Sequence, residues 1–245
     1  MVRRMGEMHE QHDVVVVGGV TAGAPHDARG DGSAAGAASD PHGQAAWDAR
    51  YASRERVWSG EPNRQLVAEA VSLPPARALD VGSGEGADAL WLAERGWQVT
   101  AVDVSAVALA RAAARAAEHG DEVASRVVWE HADVRTWSPQ LAAYDLVSAH
   151  YLHPAPDVRP DVVRRLAAAV APGGVLLYVG HDPSDLGVVP RGHPELLAAV
   201  SDIAQLLDRD AWDVEVAEAR PRPATHPDGR SMTLHDAVVR ARRRR

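Results

Sequence analysis

The sequence predicts an α/β fold: a doubly wound, mostly parallel sheet of seven strands that ends in an antiparallel hairpin. Three observations predict it. From Arg77 onward, short β-branched runs alternate with longer stretches of helical period. The first of those runs, "RALDV", passes directly into a glycine turn that opens a helix. The last two strand-like runs, "WDVEVAEARPR" and "LHDAVVRARR", follow one another with no helix between them, as antiparallel neighbours do. At 245 residues and 46% hydrophobic, the chain can bury one large core.

The elements follow in order. Residues 21–43 are rich in Gly, Ala, Ser, Asp and Pro without apolar period, and read with residues 1–20 as a flexible arm and linker, residues 1–43. At Gln44 the texture changes, and residues 44–75 predict one or two amphipathic helices closed by Pro74 and Pro75. The helix "GADALWLAERG" follows the first strand and stops at Gly96. After the strand "WQVTAVDV", Ser105 caps "AVALARAAARAAEHG", which carries Arg111, Arg115 and Glu118 on one face. "RVVWEHADV" and "YDLVSAHYL" are the third and fourth strands. The helix "PDVVRRLAAAVAPGG" leads into the fifth strand, "VLLYVGH", and "PELLAAVSDIAQLL" predicts a further helix before the hairpin.

Composition removes several chemistries. Cysteine is absent, so disulfides, thiolate nucleophiles and cysteine zinc sites are impossible. All 26 basic residues are arginine, so there is no lysine for a Schiff base or a Walker-type phosphate loop. The net charge of −8 argues against a nucleic-acid partner, and the terminal "RARRRR" reads as a solvated strand end. No apolar run approaches the ~20 residues of a membrane span, and the N-terminal residues lack a secretory h-region. A cytoplasmic protein without membrane or nucleic-acid partners is the expectation; the oligomeric state is not legible.

Two glycine turns compete for a nucleotide. In "DVVVVGGVTAGAP" (Asp13 to Pro25) the third glycine position is Val20, and Pro25 and Gly30 interrupt any helix. This stretch resembles the truncated start of an FAD-dependent, thioredoxin-reductase-like oxidoreductase over about a dozen residues, and it is not expected to bind. In "ALDVGSGEGADAL", Gly82 and Gly84 turn the chain and Gly86 enters a true helix. The spacing alone also suits a NAD fold. Asp80 argues against that, because a carboxylate before the glycines repels a pyrophosphate but suits a cationic ligand. Asp103 ends the second strand where an acid grips ribose hydroxyls, and Asp133 in "HADV" stands where an exocyclic amine such as adenine N6 is accepted. A ribose, an adenine and a positive charge without phosphate describe S-adenosylmethionine.

Residues 44–245 resemble a Rossmann-like class I S-adenosylmethionine-dependent methyltransferase, through "ALDVGSGEG", "VTAVDVS", "HADV", "YDLVSAHYLH" and the Pro-Gly-Gly turn before "VLL". The resemblance implies that Gly82 and Gly84 approach the amino-acid part of the cofactor, with Asp80 and Ser83 as further cofactor-binding candidates in the same turn. It also implies that Asp103 binds the ribose, Val104 flanks the adenine, and Asp133 and Val134 hold its edge; His150, at the end of the fourth strand, either lines the cofactor pocket or serves as a base. Ser83 stands where cysteine is commonest, and its small side chain fits equally well. "WDARYASRERVWSGEPNRQL" resembles the N-terminal lid of the tellurite-resistance and thiopurine methyltransferase-like branch, with Trp47, Tyr51 and Trp58 as aromatic contacts for a sulfonium or as core packing.

The acceptor side is expected beyond the carboxyl ends of the fourth and fifth strands, where His150, Tyr151, His153, His181 and Asp182 converge. The catalytic residues are not legible. His150, His153 and His181 are candidate bases, although a soft anion such as a thiolate would need none. No metal is expected, though the three histidines are a conceivable ligand set. The leading expectation is methyl transfer to a small molecule, a thiol or other soft nucleophile among the candidates. A NAD-dependent oxidoreductase and a non-catalytic S-adenosylmethionine-binding protein are the alternatives.

Overall fold

The computed structural model describes residue 40 and residues 42–187, 193–226 and 228–245. The first glycine turn, and with it the oxidoreductase-like stretch, lies outside the described residues. Two helices lead, α1 (Gln44–Ala52) and α2 (Arg64–Ala70), the second capped by the Asn63 side chain accepting from the Gln65 amide. They are followed by β1 (Arg77–Val81), α3 (Ala87–Glu94), β2 (Gln98–Asp103), α4 (Ala106–Glu118), the single turn α5 (Asp121–Ala124) and β3 (Val127–His131). Then come β4 (Tyr144–His150), α6 (Arg159–Ala169), β5 (Val170–His181), α7 (Val200–Ala204), β6 (Trp212–Thr225) and β7 (Ser231–Arg243).

The seven strands lie in the order β3-β2-β1-β4-β5-β7-β6. The first five are parallel, and β7 runs antiparallel between β5 and β6. The expected doubly wound sheet with a closing hairpin is therefore the observed one. Alternation along each strand sends side chains to opposite faces. Leu79, Val81, Val147, Leu176 and Val239 pack with α6 and Ile203 on one side. Ala78, Val99, Leu146, Leu177 and Val238 pack with Leu66 of α2 and Leu92 of α3 on the other. Strand order reverses between β1 and β4, and their carboxyl ends open the crevice where such sheets take ligands.

The helix expected over residues 194–207 is not continuous. A 3-10 turn (Pro194–Leu196) and an extended segment precede the short α7. The cause is tertiary. Leu196, Leu197 and Ala198 are all buried, which a helix with one apolar face cannot arrange for three successive residues. The buried Arg159 guanidinium also donates to the carbonyls of Glu195, Leu196 and Leu197, taking acceptors a helix would use. The third strand is shorter than "RVVWEHADV": it stops at His131, so Asp133 sits in the turn beyond it.

Candidate functional site

The floor of the crevice is the glycine turn. Gly82, Gly84 and Gly86 have φ of 75°, 53° and 81°, the left-handed region that other residues enter at a cost. Gly82 and Ser83 donate to the Val102 carbonyl at 2.8 and 3.0 Å, tying the turn to the end of β2. Gly86 serves packing: a Cβ there would stand 2.6 Å from Trp129 and 2.8 Å from the Ala112 methyl. A Cβ on Gly84 would meet the Tyr51 hydroxyl at 2.9 Å, so the lid lies directly on the turn.

Asp103, 8% exposed, accepts from the Gly84 amide through Oδ2 and from the Ser105 amide through Oδ1, both at 2.8 Å. Burial raises its pKa despite those two donors. Each oxygen keeps a second lone pair for a further donor. The carboxylate is thus pinned at the mouth of the crevice by the same turn it flanks.

The lid is locked by Glu85, a buried acid within the glycine motif. Its carboxylate accepts from the amides of Val57 and Trp58 at 3.1 and 3.2 Å and from Arg111 at 3.1 Å. Arg111 also reaches the Arg54 carbonyl, and Arg115 spans the Glu85 and Gly60 carbonyls. The arginines placed on one face of α4 by helical spacing therefore clamp residues 54–60 over the turn. Trp58 donates from Nε1 to the Tyr51 hydroxyl at 2.9 Å. Burial, then the Asp103 charge, raises the Tyr51 pKa. The Arg50 guanidinium lies 5.2 Å from the ring centroids of both Trp47 and Trp58, so these faces already attract a cation.

Behind the turn stand the buried Asp80 and His150 and the half-buried Asp88. His150 Nδ1 lies 2.7 Å from Asp88 Oδ2, and the Asn63 amide donates to Asp88 Oδ1 at 2.6 Å. Asp80, Asp88 and His150 each bring a ligand-capable atom within 4.8 Å of the others, a different set from the three histidines considered on sequence grounds. Burial, then the Asp88 charge, raises the Asp80 pKa. Burial opposes the imidazolium of His150, but Asp88, aided by Asp80 and Asp236, outweighs it and raises that pKa as well.

At the acceptor side, Tyr151 and His153 hold φ of 52° and 48°. Left-handed backbone in a non-glycine residue costs ~1–3 kcal/mol, and such strain concentrates at functional sites. Tyr151 donates to Asp236, which is fully buried and also receives Arg222 and Gln65. His153 and His181 stack with centroids 5.1 Å apart.

Asp133 is engaged differently from the expectation. It takes Nε and Nη2 of Arg135, two residues on, and Arg135 extends to Asp40. The Arg135 hydrogen bonds hold the Asp133 pKa below the ordinary carboxylate value. Val104 offers its carbonyl to His131, and Val134 packs on the core.

Residues 78–174, which run from β1 into the start of β5 and include Asp80, Glu85, Asp88, Asp103 and Asp133, match the family model described as a methyltransferase domain. Over residues 78–174 the chain is similar to a methyltransferase domain.

An uncharacterized methyltransferase of Mycobacterium tuberculosis is 36% identical over 127 residues, 51% of this chain and 61% of that protein. The trans-aconitate 2-methyltransferase of Variovorax paradoxus is 36% identical over 118 residues, 47% of this chain and 42% of that protein. This chain thus spans less than two thirds of either relative. The crystal structure of TehB from Haemophilus influenzae superposes with a TM-score of 0.62 at 18% identity, covering 75% of this chain and 62% of that one, a likeness of fold.

Three polar atoms of the crevice bear on whether it fits S-adenosylmethionine. Asp80 Oδ2, Ser83 Oγ and His150 Nε2 are buried at the turn and make no hydrogen bond among the described residues. Asp80 offers an acceptor, Ser83 can donate or accept, and His150 Nε2 takes either role according to its protonation, a set that suits an ammonium and hydroxyls better than a diphosphate. Sequence reading missed Glu85, Asp88 and Asp236. Glu85 lies inside the quoted motif, but its partners are 26 to 28 residues distant, and Gln65 meets Asp236 across 171 residues.

Proposed function

We propose that this domain transfers a methyl group from S-adenosylmethionine to a small-molecule acceptor. The observation that carries the reading is Asp103, a buried carboxylate at the end of β2 braced by the glycine turn itself. In that position Asp103 would hold the ribose hydroxyls, with Gly82, Ser83, Gly84 and Asp80 at the amino-acid part, His150 lining the pocket, and Val104 and Val134 at the adenine. Asp133 would reach the adenine edge through whichever lone pairs Arg135 leaves. Trp58 and Tyr51 close the site against water. When bound, the cofactor supplies a methyl carbon made electrophilic by a positively charged sulfur. The protein's work is then alignment of the acceptor and exclusion of water.

A small acceptor is favoured over a nucleic acid by the net charge of −8 and by the arginines of α4, which are spent on the lid. A trans-aconitate methyltransferase among the relatives points the same way. Ribosomal RNA small subunit methyltransferase C of Alcanivorax borkumensis is also a relative, at 34% identity over 112 residues, so the charge is the stronger argument. Among the described residues no helix is long and apolar enough to cross a membrane.

Calorimetric titration tests the reading. S-adenosylhomocysteine should bind and NAD should not. Asp103→Ala should weaken the former by ~1.5–3 kcal/mol, the scale of charged hydrogen bonds. Unchanged affinity, or preferential binding of NAD, would falsify the assignment.

A further inference from the structure

The acids behind the glycine turn outnumber the cations that reach them. Asp80 is 2% exposed and His150 8%, and with the half-buried Asp88 they form a group whose ligand-capable atoms all lie within 4.8 Å of one another. Three elements bring them together. Asp80 stands opposite Ser148 in the register of β1 and β4, His150 ends β4, and Asp88 lies in the first turn of α3. Asp88 is held from two sides, by the Asn63 amide at 2.6 Å and by His150 Nδ1 at 2.7 Å. Among the described residues His150 is the one basic side chain paired with Asp88, and none pairs with Asp80. The neighbouring Arg111 and Arg115 are taken by Glu85 and by lid carbonyls, and the chain has no lysine.

Two atoms of the group, Asp80 Oδ2 and His150 Nε2, are buried and make no hydrogen bond among the described residues. A buried carboxylate oxygen without a donor is costly, and a bound cation removes that cost. Two carboxylates and an imidazole form a mixed oxygen and nitrogen donor set. First-row ions such as Mn²⁺ and Zn²⁺ accept such a set, whereas Mg²⁺ favours oxygen alone. Metal–ligand bonds of ~2.0–2.2 Å put ligand atoms up to ~4.4 Å apart across one ion, so the three groups close on an ion with shifts of about half an ångström. The Asp88 side chain is 17% exposed, which leaves the group an edge open to water and a path of entry.

We propose that Asp80, Asp88 and His150 form a binding site for a first-row divalent cation, and that this cation and S-adenosylmethionine exclude one another. The exclusion rests on the methyltransferase reading above, in which Asp80 lies at the amino-acid part of the cofactor; binding of the ion does not. A dication meets both carboxylates with twice the charge of an ammonium. The ion therefore acts as an inhibitor that competes with the methyl donor, and takes no part in activating the acceptor.

The test uses the full, cofactor-free chain with Mn²⁺ as the probe. Electron paramagnetic resonance should show one saturable site with a Kd below about 1 mM. Its spectrum should carry the nitrogen coupling of a directly bound imidazole. Asp88→Asn and His150→Gln should each weaken Mn²⁺ binding by about tenfold or more. Asp228→Asn, at an exposed acid between β6 and β7, should leave it unchanged. A missing site, a site without nitrogen coupling, or one that survives both substitutions overturns the proposal. Competition in the unsubstituted chain covers the case of a variant that fails to fold. Mn²⁺ at ten times its Kd should raise the apparent Kd for S-adenosylhomocysteine about elevenfold, and S-adenosylhomocysteine should release the bound ion. Simultaneous binding of both overturns the exclusion. The two levels separate cleanly. If Mn²⁺ binds and S-adenosylhomocysteine does not, the methyltransferase reading falls and the cation site stands. If S-adenosylhomocysteine binds and Mn²⁺ does not, the cation site alone falls.

Discussion

Glu85 is the residue whose replacement tests the lid most directly. Its carboxylate, 6% exposed, gathers two amides of the lid and the Arg111 guanidinium, which no single neutral side chain can replace. In Glu85→Gln the one remaining acceptor oxygen can serve either the Val57 and Trp58 amides or Arg111. Whichever it serves, the new amide N–H₂ faces a donor. In Glu85→Ala all three hydrogen bonds go. A hydrogen bond to a charged group is worth ~1.5–3 kcal/mol, and water entering this half-open edge recovers part of it. About 1 kcal/mol net for each of the three gives ~3 kcal/mol, or ~150-fold in the opening equilibrium of the lid. Because residues 54–60 lie between α1 and α2 and outside the sheet, the cost should appear as local opening rather than global unfolding. Hydrogen exchange read by mass spectrometry should show protection in peptides covering Val57 and Trp58 falling ~100-fold in Glu85→Ala, with β1 and β4 peptides unchanged. S-adenosylhomocysteine affinity should drop in the same variant by up to the same factor. Unchanged lid protection, or a loss shared equally by the strands, would refute the clamp.

Other substitutions separate packing from charge. Gly86→Ala adds a Cβ against Trp129 and Ala112 at a residue with φ of 81°, and urea unfolding should show a loss of ~3 kcal/mol or more; a loss under ~1 kcal/mol would mean the helix adjusts freely. Asp80 has a folded pKa raised by burial and by Asp88, so its ionisation costs stability that is intact below the ordinary carboxylate range and lost as pH rises through the folded value. Asp80→Asn should therefore melt higher than the unsubstituted, cofactor-free chain at pH 8, by roughly 1–2 kcal/mol, with the gap closing near pH 4. A gap independent of pH would contradict that origin. If Asp80 faces the cofactor's ammonium as proposed, the same variant should bind S-adenosylhomocysteine less tightly.

Much of this fold is written locally. Strand period, the left-handed glycines and Ser105 as a cap act within a few residues, so the order of β1 to β5, the turn at Gly82 and the position of Asp103 could be read from the chain. The turn "DVR" is equally local: Asp133 accepts from the Arg135 amide and side chain, two residues on. The segment over residues 194–207 has helical period, yet Arg159 draws its carbonyls away, a competitor 36 to 38 positions distant. Nothing in the linear pattern signals such a partner.

The sequence by itself determined which strands exist, where the chain turns and which acids end up at strand ends, since those follow from backbone sterics and side-chain period. Only the tertiary structure decided what those acids do: Glu85 clasps the lid, Asp88 orients His150, and Asp236 anchors Tyr151. The reason is physical. A buried charge must find its partners wherever packing brings them, and three-dimensional proximity is created by the collapse of the core rather than by spacing along the chain.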